Sequence, residues 1–310
     1  MNILFYTKFA NQKELLKIVK KKFKGARVFT IQDEINLKKI DIAMVWNLPN
    51  SYFKKLVNLK LVFSLGAGVD HILNSPSYNN KIPIIRIKDP NMRKRMFNHV
   101  LSQILYYQLK LQLYQQSQRK KVWLKEQDTF LNSQLTIGIL GTGYLGSYIG
   151  KQLHRLDYNV LGFKNSSSNL KVPFKVFRGN TMNKFLGLSD IIISILPSTE
   201  NTKDIINKNF LKFMKKKSLL INIGRGLSLN EEDLINHLKL NSNFYASLDV
   251  FKNEPINKNH KFWNHPNITI TPHIAAITDI ESSIEYMYQN YLKFKKNGKI
   301  KSDVNIKKGY

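Results

Sequence analysis

The sequence contains no cysteine, so it can form no disulfide, no thiolate metal site and no cysteine nucleophile. It also lacks any apolar run near the roughly 20 residues that a membrane-spanning helix needs. Its N-terminus has no basic residue ahead of a short apolar stretch and no cleavage site of small residues, and is therefore unlike a signal peptide. We expect a soluble protein of the cytoplasm that does not associate with membranes.

Acidic residues are scarce as well. The chain has 21 Asp and Glu against 49 Lys and Arg, which gives a formal net charge of +28. Such a charge favours anionic partners, but the lysines lie at the ends of segments throughout the chain. We interpret them as solvated surface and compositional bias, with mild steering of anionic substrates, and predict no specific nucleic-acid partner. Association with nucleic acid stays the alternative.

Apolar runs alternate with amphipathic segments from one end of the chain to the other, a pattern typical of parallel sheets with crossover helices. A length of 310 residues favours two α/β domains over one core. Five apolar runs in residues 1–92 predict a flavodoxin-like sheet, and seven runs after residue 134 predict a doubly wound, Rossmann-like sheet. Residues 91–121 keep helical spacing throughout and predict one long helix that links the domains and supplies a subunit interface.

Three glycines stand in the stretch LTIGILGTGYLGSYIG, between an apparent strand and an apparent helix. In the first βα turn of a dinucleotide-binding unit, such glycines allow a tight turn and a close approach of backbone N–H groups to a pyrophosphate. The positive end of the helix dipole points at the same phosphates. We therefore predict that a dinucleotide binds at this turn, at Gly141, Thr142, Gly143, Tyr144, Leu145 and Gly146.

The second strand of this unit ends at Lys164, where an NAD-specific site would carry an acidic residue for the ribose hydroxyls. A cation followed by amide and hydroxyl groups suits a 2′-phosphate instead. We predict that Lys164, Asn165 and Ser166 bind the 2′-phosphate and that the cofactor is NADPH in preference to NADH. The alternative is that Lys164 is one more surface lysine in a lysine-rich chain.

Arg225, Glu254 and His273 each follow a predicted strand of the second sheet, and ligands of open sheets bind at the carboxyl ends of strands. Reduction of a 2-keto acid needs a hydride donor, a proton donor and a cation for the carboxylate and carbonyl. Histidine can donate the proton with a carboxylate to orient it, and arginine suits a keto carboxylate. Taken singly, the three residues could equally be a cap, a turn residue and a buried histidine.

Several motifs together resemble one family. GILGTGYLGS, SDIIISILPSTENTKDIIN, LLINIGRG, SLDVFKNEP and TPHIAA, in this order and spacing, are similar to the D-isomer-specific 2-hydroxyacid dehydrogenases. Within that family, VFSLGAGVDHIL, IRIKDPNM and WNHPNITITPHIAAIT are most similar to the glyoxylate and hydroxypyruvate reductases. The resemblance implies reduction of glyoxylate or hydroxypyruvate to glycolate or D-glycerate by NAD(P)H.

The same resemblance implies roles for individual residues. Arg225 would bind substrate, Glu254 would support the histidine, and His273 would act as general acid in reduction and base in oxidation. The substrate would also meet Trp46 and the backbone N–H groups of Gly66, Ala67, Gly68 and Val69. Further cofactor contacts are implied for Leu196, Pro197, Thr202, Ile223, Gly224 and Asp249, the last beside the nicotinamide ring.

The implied organisation has the cofactor domain inserted into the substrate domain. Residues 1–92 would begin the substrate domain, residues 93–274 would form the NAD(P)-binding domain, and residues 275–310 would return as a C-terminal helix. A homodimer is implied. We predict no metal, because no histidine cluster has ligand spacing. Six further histidines match no catalytic motif, and we expect most of them at the surface: His71, His99, His154, His237, His260 and His265.

Two alternatives to the reductase stay open at this point. The family also contains corepressors that sense the dinucleotide and bind protein partners, and these can keep all three catalytic residues. The other alternative is a D-lactate or phosphoglycerate type of dehydrogenase that works with NAD in the oxidative direction.

Overall fold

The structure is a computed structural model that describes residues 1–9, 11–87, 89–125, 127–165, 171–276 and 279–306, Pro90 without its side chain. The chain divides into two units: Met1–Met92 with Thr278–Tyr310, and Arg93–Ile277. Since both ends of the chain contribute to the first unit, the second unit is inserted into the first. This α/β arrangement with an inserted domain agrees with the predicted fold class.

The first unit holds a five-stranded sheet in which every neighbouring pair is parallel. Its strands are β1 (Asn2–Tyr6), β2 (Arg27–Phe29), β3 (Ile42–Val45), β4 (Leu61–Ser64) and β5 (Ile84–Arg86). The strand order is β2-β1-β3-β4-β5, which is the flavodoxin-like order expected. The order places the ends of β3 and β4 side by side, and both ends lead into loops considered below.

The second unit holds a seven-stranded parallel sheet. Its strands are β6 (Thr136–Leu140), β7 (Asn159–Phe163), β8 (Lys175–Phe177), β9 (Ile191–Ser194), β10 (Ser218–Asn222), β11 (Phe244–Leu248) and β12 (Ile268–Ile270). The order β12-β11-β10-β9-β6-β7-β8 reverses direction between β6 and β9. Ligands of such sheets bind beyond the strand ends at this reversal, where the glycine turn follows β6.

Helices connect the strands. They are α1 (Gln12–Lys22), α2 (Asn50–Phe53), α3 (Asp70–Leu73), α4 (Pro90–Gln108), α5 (Leu111–Arg119), α6 (Tyr144–Arg155), α7 (Met182–Leu188), α8 (Lys208–Phe213), α9 (Glu231–Leu240) and α10 (Ile280–Asn297). In the described parts of the chain, none of them combines the length and the apolar character that a membrane crossing requires.

The prediction of one long helix over residues 91–121 is wrong, because α4 ends at Gln108 and α5 begins at Leu111. Lys110 between them has a left-handed backbone, with φ of 53°. The buried side chain of Gln108 donates to the carbonyl oxygen of Phe130 at 2.6 Å and accepts from the hydroxyl of Tyr158 at 2.7 Å. These tertiary hydrogen bonds hold the end of α4, and no glycine or proline marks the break.

The seven-stranded sheet is covered on both faces. In β9, Ile191 and Ile193 belong to one apolar cluster and Ile192 to another, as the alternation of strand side chains requires. All three side chains are fully buried. This double burial explains the unbroken apolar run in the sequence and gives the loops at the strand ends a rigid support.

Candidate active site

Glu254 and His273 form a direct pair in the second unit. The Nδ1 atom of His273 lies 2.7 Å from Oε2 of Glu254. Because an ionised carboxylate only accepts hydrogen bonds, Nδ1 carries the proton and Nε2 remains for exchange with a ligand. The His273 side chain is 43% exposed, so solvent or a substrate can reach it. The expected pairing of these two residues is present, and His273 is not a buried structural histidine.

The carboxylate of Glu254 is held in its ionised form. Burial opposes its ionisation, but the hydrogen bonds from His273 and from the N–H of Phe251, together with the charges of His273 and Arg225, lower its pKa below the ordinary value. The Phe251 bond is 2.9 Å long and uses Oε1. Each carboxylate oxygen therefore has its own donor, which fixes the orientation of Glu254 toward the imidazole.

Arg225 follows β10 by three residues and is half-buried. Its carbonyl oxygen accepts from the hydroxyl of Ser228 at 2.7 Å, and its Nη1 donates to the carbonyl oxygen of Gly224 at 3.0 Å. A Cβ on Gly226 would overlap the backbone of Phe251, so only glycine lets this turn pack against the segment that leads to Glu254. Arg225 is close enough to Glu254 to lower its pKa.

Asp249 holds the turn that carries His273. It is 1% exposed, and its Oδ1 accepts from the N–H of Ile274 while its Oδ2 accepts from the N–H of Ala275, both at 2.9 Å. His273 itself has a left-handed backbone, with φ of 55°, a conformation that costs energy for a residue with a Cβ. The buried carboxylate compensates by fixing the backbone directly after the histidine.

Two further residues complete this arrangement, and sequence reasoning missed both as site residues. The Thr271 hydroxyl donates to Oδ1 of Asp249 at 2.6 Å, and Nε2 of His99 lies 3.1 Å from the same hydroxyl. Burial lowers the pKa of His99, although the nearby Asp249 charge opposes this shift. Thr271 stands two residues before His273, and this proximity in sequence could have indicated a role in the site. His99 lies far away in sequence on α4, and no local sequence pattern indicates its role.

The glycine turn after β6 fits a dinucleotide. Gly141 has φ of 104°, and a Cβ on Gly146 would overlap the carbonyl of Gly141. A Cβ on Gly143 would meet no atom within 4 Å, so this position opens onto space that a phosphate can approach. Among the described residues, no side chain caps the start of helix α6 at Tyr144, and the first N–H groups of the helix and its dipole suit a pyrophosphate.

Thr142 adds an independent observation. Its hydroxyl oxygen is buried and has no hydrogen-bond partner within the described residues. A buried hydroxyl without a partner is costly, and a phosphate or ribose oxygen would supply one. Lys164 is only 8% exposed, so it is not one of the surface lysines. Asn165 is exposed, while Ser166 lies outside the described residues.

Of the other predicted cofactor residues, Leu196 lies beside this turn and Gly224 packs against Leu196. A Cβ on Gly141 would contact Leu196, and a Cβ on Gly224 would overlap the backbone of Leu196. The Thr202 hydroxyl donates to the carbonyl of Pro197 at 2.6 Å and so shapes its own loop. The side chain of Ile223 belongs to the apolar core.

In the first unit, the predicted substrate residues follow β4. The N–H groups of Ala67, Gly68 and Val69 have no acceptor within the described part of the chain, so they can bind an anion. Trp46 follows β3 and packs on this loop, because a Cβ on Gly66 would overlap its ring. The structure therefore brings Trp46 and Gly66 together within the unit.

The expectation that most other histidines lie at the surface is wrong. Only His154 among these six is exposed. The others are partly buried. Three of them pack against an aromatic ring, His71 against Trp46, His237 against Phe244 and His260 against Phe262, and His99 contacts the hydroxyl of Thr271. His265 is also partly buried, and burial lowers its pKa.

The chain is similar to known proteins over its full length. It is 34% identical to glyoxylate/hydroxypyruvate reductase A of Serratia proteamaculans over 94% of both chains, and 30% identical to that of Yersinia enterocolitica over 100% of both. Among solved structures, the NADPH-dependent glyoxylate/hydroxypyruvate reductase of Sinorhizobium meliloti in complex with NADP and sulfate has a TM-score of 0.91. It is 28% identical and covers 100% of this chain and 99% of its own.

The family profile described as "D-isomer specific 2-hydroxyacid dehydrogenase, NAD binding domain" matches residues 101–275. This match includes the glycine turn and the three residues Arg225, Glu254 and His273. The chain belongs to the D-isomer specific 2-hydroxyacid dehydrogenase family and is an NAD(P)-dependent oxidoreductase.

Proposed function

We propose that the protein reduces glyoxylate or hydroxypyruvate to glycolate or D-glycerate, with NADPH as the preferred reductant. The observation that carries this proposal is the 2.7 Å pair of His273 and Glu254 beside the charge of Arg225. The activities after which the relatives are named support the substrate class. They favour the reductase over a corepressor-like binding protein or an oxidative dehydrogenase that uses NAD.

His273 is the proposed general acid. With Nδ1 bonded to Glu254, its Nε2 is the atom that delivers a proton to the keto oxygen as the carbonyl becomes an alkoxide. The ionised Glu254 stabilises the protonated imidazole before transfer and keeps its ring orientation afterwards. Since His273 is partly exposed, it can recover a proton from solvent between turnovers.

Arg225 is the proposed cation for the substrate. Its guanidinium presents planar donors that match a carboxylate next to a carbonyl. The N–H groups of Ala67, Gly68 and Val69, which have no acceptor among the described residues, are the second proposed carboxylate ligand, and Trp46 is a proposed border of the substrate. These roles rest on the family resemblance and on those available donors.

The proposed cofactor residues are the glycine turn from Gly141 to Gly146, the buried Thr142 hydroxyl and Lys164. When bound, NADPH supplies the hydride that the keto carbon accepts. A buried lysine after β7 favours the 2′-phosphate over a bare ribose hydroxyl. The S. meliloti structure holds NADP, which supports the same preference here.

The decisive experiment is a turnover assay that follows the near-ultraviolet absorbance of the reduced cofactor. Glyoxylate and hydroxypyruvate are each combined with NADPH and with NADH. We expect turnover with both acids and a higher kcat/KM with NADPH. Turnover with NADH alone would overturn the cofactor preference, and no turnover with any combination would overturn the proposed function.

The proposed assembly is a cytoplasmic homodimer, with residues 93–274 as the cofactor domain and residues 1–92 and 275–310 as the substrate domain. Exposed apolar side chains of Val122, Trp123 and Leu131 follow α5, and such a set supports burial in a second copy. Light scattering on the purified protein tests the dimer: a mass of one chain would overturn it.

A further inference from the structure

The loop after β4 is supported by a hydrogen-bond network within the first unit. Ser64, the last residue of β4, is fully buried. Its hydroxyl oxygen lies 2.9 Å from the carbonyl oxygen of Gly66 and 3.0 Å from that of Gly68. The single hydroxyl proton is shared between these two carbonyls, and the same oxygen accepts from the N–H of Gly66 at 3.4 Å.

His71 completes the network from α3. Its Nε2 lies 3.1 Å from the Ser64 hydroxyl, and its Nδ1 accepts from the N–H of Asn47 at 3.1 Å. Because Nδ1 is an acceptor, the neutral imidazole carries its proton on Nε2 and donates it to Ser64. The Ser64 hydroxyl proton is then directed to the carbonyls of Gly66 and Gly68.

The network also joins the two loops that carry the predicted substrate residues of this unit. Asn47 follows Trp46 and has a left-handed backbone, with φ of 54°. The rings of Trp46 and His71 have centroids 4.3 Å apart. His71 thus holds the loop after β3 through Asn47 and the loop after β4 through Ser64, while Trp46 covers Gly66.

The carbonyl groups of this loop bind the protein itself, whereas three of its N–H groups are available to a ligand. Ser64 binds the carbonyl oxygens of Gly66 and Gly68, while the N–H groups of Ala67, Gly68 and Val69 stay without an acceptor in the described chain. In a peptide plane the N–H points away from the carbonyl. When the carbonyls of Gly66 and Gly68 are held, the N–H groups of Ala67 and Val69 are held on the other side.

We infer that Ser64 and His71 are positioning residues that orient the backbone N–H groups of Ala67 and Val69 for the carboxylate of the keto acid. This inference rests on the proposed function. Neither residue needs to touch the substrate; both act through the peptide planes of the loop. A preorganised anion site of this kind avoids the cost of ordering the loop during binding.

The test compares Ser64→Ala, His71→Leu and His71→Gln with wild type. Gln keeps a donor near the position of Nε2, whereas Leu removes both nitrogens. We expect Ser64→Ala and His71→Leu to raise the KM for glyoxylate about three- to tenfold, with kcat and NADPH affinity unchanged, and His71→Gln to restore part of the loss.

Ser302→Ala is the matched control, because its hydroxyl also bonds backbone groups of this unit, namely those of Ile84 and Val304. It should lower the thermal midpoint without changing KM. A similar KM increase in Ser302→Ala, an unchanged KM in Ser64→Ala, or parallel losses of kcat and NADPH affinity would each overturn the inference.

Calorimetric binding of oxalate in the presence of NADP⁺ separates this inference from the proposed function. Oxalate has the required carboxylate but accepts no hydride, so its binding does not depend on turnover. Weaker oxalate binding by Ser64→Ala supports the positioning role even if the wild type reduces neither acid. Equal oxalate affinity of wild type and Ser64→Ala contradicts the role even if both turn over.

Discussion

Glu254 and His273 lie 2.7 Å apart and come from different segments that follow β11 and β12. Further hydrogen bonds hold both partners: the N–H of Phe251 donates to Glu254, and the carboxylate of Asp249 accepts from the N–H groups directly after His273. The imidazole is therefore oriented before any ligand arrives. Preorganisation of a proton donor is what general acid catalysis requires.

Glu254→Gln should lower kcat for glyoxylate by about 100-fold, because the amide can still accept a hydrogen bond but no longer stabilises the protonated imidazole. The KM for NADPH should not change. Glu231→Gln is the matched control, since Glu231 also binds a backbone N–H and lies 3.4 Å from a histidine, His260. A loss of kcat in both variants would contradict the assigned role.

The pKa of Glu254 also predicts how stability depends on pH. Its pKa is lower in the folded protein than its ordinary value of 4.5. The stability that the carboxylate contributes is thus present above pH 4.5 and is lost as pH falls through the lower folded value. Denaturant titrations should show that acidification destabilises wild type more than Glu254→Gln. If the free energy of unfolding fell equally with pH in the two proteins, the pKa of Glu254 in the folded protein would not be depressed.

Asp249→Asn should lower kcat while the fold is retained. In wild type, each carboxylate oxygen of Asp249 accepts from one backbone N–H. In the variant, the amide nitrogen would face one of these N–H groups in place of an oxygen. That buried N–H would lose its acceptor, at a cost of about 1–3 kcal/mol. Asp190→Asn provides the comparison, because Asp190 also accepts from a backbone N–H, that of Thr136 at 2.9 Å. If both variants lose stability and both keep kcat, Asp249 has no role beyond folding.

Lys164→Gln should raise the KM for NADPH about tenfold and leave the KM for NADH nearly unchanged, because only NADPH carries the 2′-phosphate. The exposed Lys239 on α9 serves as the control for loss of one positive charge, and Lys239→Gln should alter neither value. Steady-state kinetics with both cofactors measure the effect. An equal rise for NADPH and NADH would assign Lys164 to folding.

The positions of the functional residues at strand ends could be predicted from the sequence. Strands that are buried on both faces appear as unbroken apolar runs, and the functional residues follow such runs. Arg225, Asp249 and His273 all stand within three residues of a strand end. The glycine turn was equally clear, since the roles of Gly141 and Gly146 depend on backbone geometry that only glycine allows.

Other features depend on contacts that no local pattern contains. The break at Lys110 follows from hydrogen bonds between Gln108 and residues more than 20 positions away. The link from His99 to Thr271 joins residues 172 positions apart. Asp249 was predicted to lie beside the nicotinamide, and its hydrogen bonds to the turn after His273 became visible only once the backbone was known.

We propose above all that His273 supplies the proton while Glu254 orients the imidazole. The most direct measurement is the single-turnover rate of NADPH oxidation with glyoxylate, for wild type and for His273→Gln, together with the NADPH affinity of each. We expect a rate about 100- to 10,000-fold lower in the variant at unchanged NADPH affinity. A variant rate within about threefold of wild type would contradict it.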